Sequence, residues 1–315
     1  MNLLKSILNS LELFFGLYSF LYLSIYSILL YLSVKATIKH FREKKELNEK
    51  VLTLTDESTG VSIIAPAFNE EQTIIESVKS FFSQIYSKYE VVIINDGSTD
   101  NTLGLLIDEF DLVKVDFYYI EKIPTQPVRG HYKSTNPLYS KLLVVDKENG
   151  KSKADASNAG INSCKYSIFI CTDVDCILRA DTIAMMVKPF VTSKKRVIAS
   201  GATIRMANQS DVKDGNLVQH HYPDNFYAGF QELEYLRSFI FGRMAFSSFN
   251  GLLLVSGGLG MFDKDIFFAA GGYWHKSLGE DLDLVIRMRK HMHETNQSFE
   301  ISYIPETLCW TEGPS

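Results

Sequence analysis

Residues 166–176 read YSIFICTDVDC. A run of apolar and small residues gives way to two carboxylates, Asp173 and Asp175. An apolar run without alternation marks a strand buried on both faces. A period of two turns both carboxylates to the same side, just past the strand's carboxyl end. Two hard oxygen donors so placed suit Mg2+ or Mn2+, which also take phosphate oxygens. The alternative is a helix N-cap ahead of residues 180–190, a role for which Asp181 is also available.

Similar runs lie on either side. VSIIAPA (61–67), VVIIN (91–95), VDFYYI (115–120), KLLVV (141–145) and RVIASGATI (196–204) read as strands, with 123–140 irregular. Between them, Glu70–Phe82, Thr102–Phe110, Ala154–Ser163 and Asp181–Phe190 carry helical spacing. Strands alternating with helices give an α/β fold, with a mainly parallel sheet and helices on both faces. In such sheets ligands sit beyond the carboxyl ends of the strands. Residues 207–227 are polar and read as a surface loop, and Phe230–Phe249 as an amphipathic core or membrane-surface helix.

Several further segments carry chemistry to that edge. NDGSTD (95–100) resembles a β-turn, but helical spacing follows it, so it reads as a strand-to-helix crossing. Asp96 then lies at the ligand edge and Asp100 caps the helix. Lys153 opens the helix in KADASNAGI (153–161), where it either meets a phosphate or stays solvated. Glu280 and Asp281 begin a helix whose apolar stripe is Leu284, Val285, Met288 and Met292. Its dipole accounts for acids there, and the same field favours the charged form that a general base needs. Gly257, Gly258 and Gly260 in SGGLGMF (256–262) imply a tight turn or close approach to a ligand. Neither GxGxxG spacing after the first strand nor GxxxxGK[ST] is present, which removes dinucleotide and P-loop folds.

The 315 residues carry a net charge of −5, so phosphate-driven nucleic-acid binding is not expected. The four cysteines lack zinc-ligand spacing and read as buried thiols. Residues 13–34, LFFGLYSFLYLSIYSILLYLSV, are uncharged and reach about 33 Å as a helix, enough to cross a bilayer. The run is too long for a signal-peptide core, and Lys35 follows it instead of a cleavage site. Lys35, Lys39, Arg42, Lys44 and Lys45 outnumber Lys5, which puts the rest of the chain in the cytoplasm. Tyr18, Tyr22 and Tyr26 share one helix face, suited to packing on another helix. Three regions follow: an anchor over 1–36, a charged connector over 37–59, and a globular domain over 60–315.

PAFNEE (66–71), NDGSTD (95–100), KADASNAGI (153–161), DVD (173–175), SGGLGMF (256–262), GGY (271–273) and GED (279–281), in that order, resemble family 2 glycosyltransferases of the GT-A fold. The likeness is to membrane-bound bacterial synthases of poly-N-acetylglucosamine, hyaluronan and cellulose. The resemblance implies an inverting transfer from a UDP-sugar to the hydroxyl of a saccharide or lipid-linked acceptor. By motif it implies that Asp96 contacts uridine, with Asn69 and Glu70 bordering the same pocket. Lys153 and Asp173 lie by the nucleotide, and Asp175 with Asp173 holds Mg2+ or Mn2+. Asp281 acts as base with Glu280 beside it, and Gly257, Gly258 and Gly260 lie near the acceptor. Those synthases continue past a WTEGP-like stretch (310–314) into a Gln-x-x-Arg-Trp motif and more membrane helices. This sequence ends at Ser315, so a fragment or a shortened enzyme is expected, with membrane helices of a partner possible. Single transfer to a lipid-linked acceptor and a non-catalytic nucleotide-binding subunit are the alternatives.

Overall fold

A computed structural model of the chain describes residues 2–51, 59–207, 210–213, 215–219 and 226–311. The elements in order are α1 (Asn2–Val51), β1 (Val61–Ala67), α2 (Ile74–Phe82), β2 (Tyr89–Asp96), α3 (Thr102–Glu109), β3 (Leu112–Val115), β4 (Val128–Ser134), β5 (Leu142–Lys147), α4 (Lys153–Ser163), β6 (Ile168–Thr172), β7 (Ile177–Leu178) and α5 (Thr182–Thr192). There follow β8 (Arg196–Met206), β9 (Asp211–Lys213), β10 (Asn216–Gln219), α6 (Phe226–Leu236), a π-helical stretch over Arg237–Arg243, α7 (Met244–Ser247), β11 (Leu259–Asp263), α8 (Lys264–Ala269), α9 (Glu280–Glu294) and β12 (Phe299–Thr311).

One mixed sheet holds the domain, in the order β3-β4-β5-β2-β1-β6-β11-β8-β12-β7. Its centre, β5-β2-β1-β6, is parallel, and β11 runs antiparallel between β6 and β8. The parallel strands are the apolar runs, buried at all but Pro66 and Glu90 because helices and loops cover both faces. Their shared direction brings the loops after β1, β2, β5 and β6 to a single edge.

Sequence periodicity misplaces some elements. The strand expected over 115–120 ends at Val115, and the aromatic residues beyond it pack instead of pairing: Phe117 and Tyr119 lie against the His131 ring. His131 belongs to β4, which crosses the stretch expected to be irregular. Strand β4 is polar because it is only half covered, so no apolar run announces it. The expected loop over 207–227 contains the β9–β10 pair, with Gly215 at positive φ between them. Residues 208–209, 214 and 220–225 of that stretch lie outside the described residues. Asp181 does not cap α5 with its side chain; Arg179 takes its carboxylate instead. The four cysteines are free and buried, as expected.

Helix α1 runs unbroken through the expected boundary at residues 36 and 37. Its stretch Leu4–Arg42 is long and apolar enough to cross a membrane. The tyrosine stripe finds its partner within the chain. Tyr18, Tyr22 and Tyr26 stack in series, and Tyr26 stacks on Phe241 with centroids 5.7 Å apart. Ser33 Oγ donates to the Ile240 carbonyl at 2.7 Å, and His40 pairs with Glu306 at 2.6 Å. These contacts fasten the carboxyl half of α1 to the π-helical stretch and to β12.

Helix α4 is buried from Ala154 to Ser163 and packs on β1 and β2. It comes close because Gly160 has no side chain: a Cβ there would lie 2.5 Å from Ile94 Cδ1 and 2.9 Å from Ile64 Cγ2. Gly160→Val overpacks this contact and is expected to destabilise the domain by about 1–3 kcal/mol. A thermal melt in detergent reads the loss, and an unchanged midpoint contradicts it.

Candidate active site

The loop after β1 carries Asn69 and Glu70. Asn69 adopts positive φ, a conformation asparagine tolerates. Its Oδ1 accepts from Thr99 N at 2.8 Å, and its own N donates to Ser98 Oγ at 3.1 Å. Asn69 therefore staples the first loop to the second. Glu70 Oε2 accepts from Thr73 Oγ1 at 2.8 Å. Burial raises the Glu70 carboxyl above its ordinary range, and the charges of Asp175, Asp100 and Asp173 add to this, against the Thr73 hydrogen bond. Asp100 is not the N-cap expected for α3, a position that Asn101 takes; one residue earlier, its Oδ1 accepts from Thr102 N at 3.0 Å.

Asp96 ends β2 and is 5% exposed. Its Oδ1 accepts from Lys147 Nζ at 2.7 Å and from Gly150 N at 3.0 Å. Lys147, at the end of β5, is fully buried and also pairs with Asp155 of α4 at 2.6 Å. Sequence reading missed both partners. A lysine closing an apolar strand was the available signal, because a buried ammonium requires carboxylates. Gly97, at φ 68°, lets the backbone pass Asn149, whose N would lie 2.7 Å from any Cβ. Pro66, Phe68, Glu70, Asp96, Lys151 and Lys153 border a cleft of about 540 Å³.

Lys153 is the first residue of α4, and Ser152 Oγ caps that helix by accepting from Ala154 N. The Lys153 ammonium pairs with Asp173 and donates to the Gly257 carbonyl at 3.0 Å. Partial burial opposes its charge, but the carboxylate of Asp173 outweighs this and holds the lysine above its ordinary range. Gly257 N donates in turn to Asp281 Oδ2 at 3.0 Å. The DVD segment, the helix-opening lysine, the glycine loop and the GED acid thus form one connected cluster. Glu280 and Asp281 border a small gap with Lys153 and Tyr273.

Asp173, Asp175 and Cys176 offer ligand atoms within 4.8 Å of one another. Asp175 Oδ1 is buried without a hydrogen-bond partner, and its Oδ2 accepts from Thr311 Oγ1 at 3.3 Å. Burial, then the neighbouring Asp173 charge, raises the Asp175 carboxyl above its ordinary range. A buried oxygen left unpaired beside a second carboxylate fits a divalent cation. Cys176 is the poorer donor, because its thiol is directed at the Gly258 carbonyl at 3.7 Å.

The three glycines differ. At Gly257 a side chain would stand 3.4 Å from Asp281 Oδ2, and at Gly258 3.4 Å from Asp173 Oδ2. Gly260 lies inside β11, where a Cβ would meet Phe262 and Val255 at 2.8 and 2.9 Å, so packing sets its identity. Two residues without an assigned role also shape the site. Asn158 of α4 clamps the Tyr273 backbone, donating to its O at 2.8 Å and accepting from its N at 3.1 Å. Arg243 lies beside Tyr303 and within electrostatic reach of Asp281, and burial lowers its pKa from the ordinary range.

The model of glycosyl transferase family 2 matches residues 62–118 and 125–267. The chain belongs to that family. Among curated relatives of this family 2 chain, the poly-beta-1,6-N-acetyl-D-glucosamine synthase of Staphylococcus epidermidis is 24% identical over 276 residues, which are 87% of this chain and 55% of the relative. The enzyme of the same name from Staphylococcus aureus is 24% identical over 268 residues, 85% of this chain and 53% of the relative. The chain spans about half the length of these relatives. Among solved structures, a mannosyltransferase from Pyrobaculum calidifontis, in complex with GDP-Man and Mn2+, superposes with a TM-score of 0.55 at 19% identity, over 91% of this chain and 69% of that one. S. aureus TarS with UDP-GlcNAc gives 0.50 at 13%, over 82% and 59%. Both likenesses are of fold, and they agree with a mixed α/β sheet of the GT-A kind.

Lys147→Met leaves Asp96 and Asp155 buried without their cation. A loss of about 3–5 kcal/mol is expected. Lys147→Met with Asp155→Asn should recover part of it in the same thermal melt. A single variant as stable as the parent refutes the pairing as a structural support.

Proposed function

We propose that this chain is an inverting glycosyltransferase that moves a sugar from a UDP-sugar to an acceptor hydroxyl, forming a β linkage during synthesis of a surface polysaccharide. The observation carrying this reading is the single cluster Asp173–Lys153–Gly257–Asp281 beside the 540 Å³ cleft. The names of the staphylococcal relatives support the polysaccharide product.

Each residue has a task. Asp96 keeps Oδ2 for the uracil ring of the donor, because Lys147 and Gly150 occupy Oδ1. Glu70 and Asn69 shape the same end of the cleft. Lys153 exchanges its contact with Asp173 for an oxygen of the donor diphosphate. Asp173 and Asp175 hold a divalent cation, Mg2+ or Mn2+. Such an ion, when bound, neutralises charge on the departing diphosphate. Asp281 takes the proton of the acceptor hydroxyl, fixed in orientation by Gly257 N. The acceptor oxygen forms its bond to the anomeric carbon as the bond to the diphosphate oxygen breaks. UDP leaves with that electron pair on the opposite face, so the configuration inverts. Positioning and charge stabilisation supply most of the rate.

In this reading α1 spans the cell membrane and the domain lies on the cytoplasmic side, where Lys35, Lys39 and Arg42 follow the apolar stretch. Exposed Phe230, Leu233, Phe249 and Leu253, on either side of the segment that packs on α1, support a membrane-facing side. The acceptor is a growing saccharide or a lipid-linked sugar.

Membranes carrying the chain, incubated with labelled UDP-sugars, should form labelled product. A polymer favours a synthase, and a single added sugar favours transfer to a lipid-linked acceptor. Asp281→Asn keeps an acceptor for Gly257 N but not a base, so transfer should fall by about three orders of magnitude or more while UDP binding persists. Undiminished transfer rejects the base. Asp175→Ala should weaken UDP binding in Mn2+ and leave it unchanged in EDTA, by calorimetry. Equal affinity for parent and variant in Mn2+ removes the metal role.

A further inference from the structure

At the sheet edge away from the acidic residues, the amino ends of β2 and β5 and the approaches to β6 and α8 border a second cleft of about 620 Å³. Lys122, Lys133, Lys141, Lys165 and Lys264 line it, against one carboxylate, Glu90. Glu90 is already engaged by neutral donors, Ser62 Oγ and the Lys165 backbone N, each at 2.6 Å. Among the described residues none of the five ammonium groups lies within ion-pair distance of a carboxylate. At the candidate active site, by contrast, Lys147 and Lys153 are both paired with acids. The chain as a whole is acidic, so this positive cleft is a local construction.

The five ammonium groups are nevertheless held in place. Lys141 lies 3.9 Å from the Tyr89 ring centroid, Lys122 4.6 Å from Phe268, Lys165 5.3 Å from Tyr166 and Lys133 5.4 Å from Phe117. Lys264 donates to the Cys164 carbonyl at 2.6 Å. Ring faces and carbonyls orient a cation without cancelling its charge. The wall is fixed as well. Phe117 and Tyr119 rest on the His131 ring, and Asn162 Oδ1 accepts from Lys122 N and Ile123 N at 3.1 and 3.2 Å. Positive charges without ion-pair partners along the lining of a preformed cleft favour an anion of high charge, which gains attraction without a large ordering cost. The confined space suits a small molecule better than a polymer.

We propose that this cleft is a second ligand site, which takes a small anion carrying two or more phosphate charges. It is independent of the donor cleft, lies at the opposite edge of the sheet, and needs no metal. A nucleoside polyphosphate and an inorganic polyphosphate share this chemistry. The ring of Tyr118, 90% exposed at the rim, offers a stacking face that only the first would use.

The test is calorimetry on the full chain in detergent with EDTA, titrating inorganic tripolyphosphate and then ATP. Saturable binding is expected, weakened by added salt. Exposed Lys122, Lys133 and Lys165 are changed together to Gln, with the melting midpoint checked against the parent. Affinity for both probes should fall by about tenfold or more, the equivalent of losing three partly screened charge contacts. Lys153→Gln, at the other edge, should leave tripolyphosphate affinity unchanged. ATP binding more tightly than tripolyphosphate identifies the nucleoside form; equal affinities identify the phosphate chain alone, and either result upholds the site. Absence of saturable binding, full affinity in the folded triple variant, or loss confined to Lys153→Gln overturns it.

Discussion

A buried polar helix governs the architecture. Helix α4 has the sequence KADASNAGINS, and its side chains from Ala154 onward are almost wholly withdrawn from water. Buried polar groups must be paired, so each one on α4 fixes a piece of chain elsewhere. Asp155 takes Lys147 at the end of β5, Asn158 takes the Tyr273 backbone, and Asn162 takes the loop at Lys122 and Ile123. Lys153, at its exposed end, reaches Asp173 and Gly257. The face lying against β1 and β2 is small, and Gly160 allows the close approach that these bonds need.

That helix also separates the two charged clefts. Its amino end borders the acidic edge of the sheet, and its carboxyl end, at Asn162 and Ser163, borders the lysine-lined one. At the acidic edge Lys147 and Lys153 are paired with carboxylates, and one Asp175 oxygen is left without a partner. Among the described residues, the lysines of the basic edge meet rings and carbonyls and form no ion pair. The same helix therefore holds two opposite electrostatic problems apart.

Helix α1 is tied to this framework through hydrogen bonds and stacked rings. The Ser33–Ile240 bond and the Tyr26–Phe241 stack link α1 to the π-helical stretch, which carries Arg243 toward Tyr303 and Asp281. Strand β12 adds a second link: Glu306 meets His40 at its middle, and Thr311 meets Asp175 at its carboxyl end. Strand β12 runs parallel to β8 over most of its length, yet no continuous apolar run announces it. Its half-buried pattern and interior Pro305 dilute the apolar run that reveals the central strands.

The sequence by itself determined the parallel centre of the sheet, the carboxylates and lysine at the strand and helix ends, and an apolar helix of membrane-spanning length. These depend on periodicity and composition over a few residues, which a linear chain displays directly. Tertiary structure alone decided that Lys153 meets a carbonyl 104 positions away, that Lys147 is the buried counter-charge of Asp96 and Asp155, and that Gly260 serves packing. It also decided the polar strand β4, paired between β3 and β5, and the lysine-lined cleft. The reason is physical: pairing of a buried charge and close backbone approach are settled by whichever groups packing brings together, and sequence spacing carries no record of them.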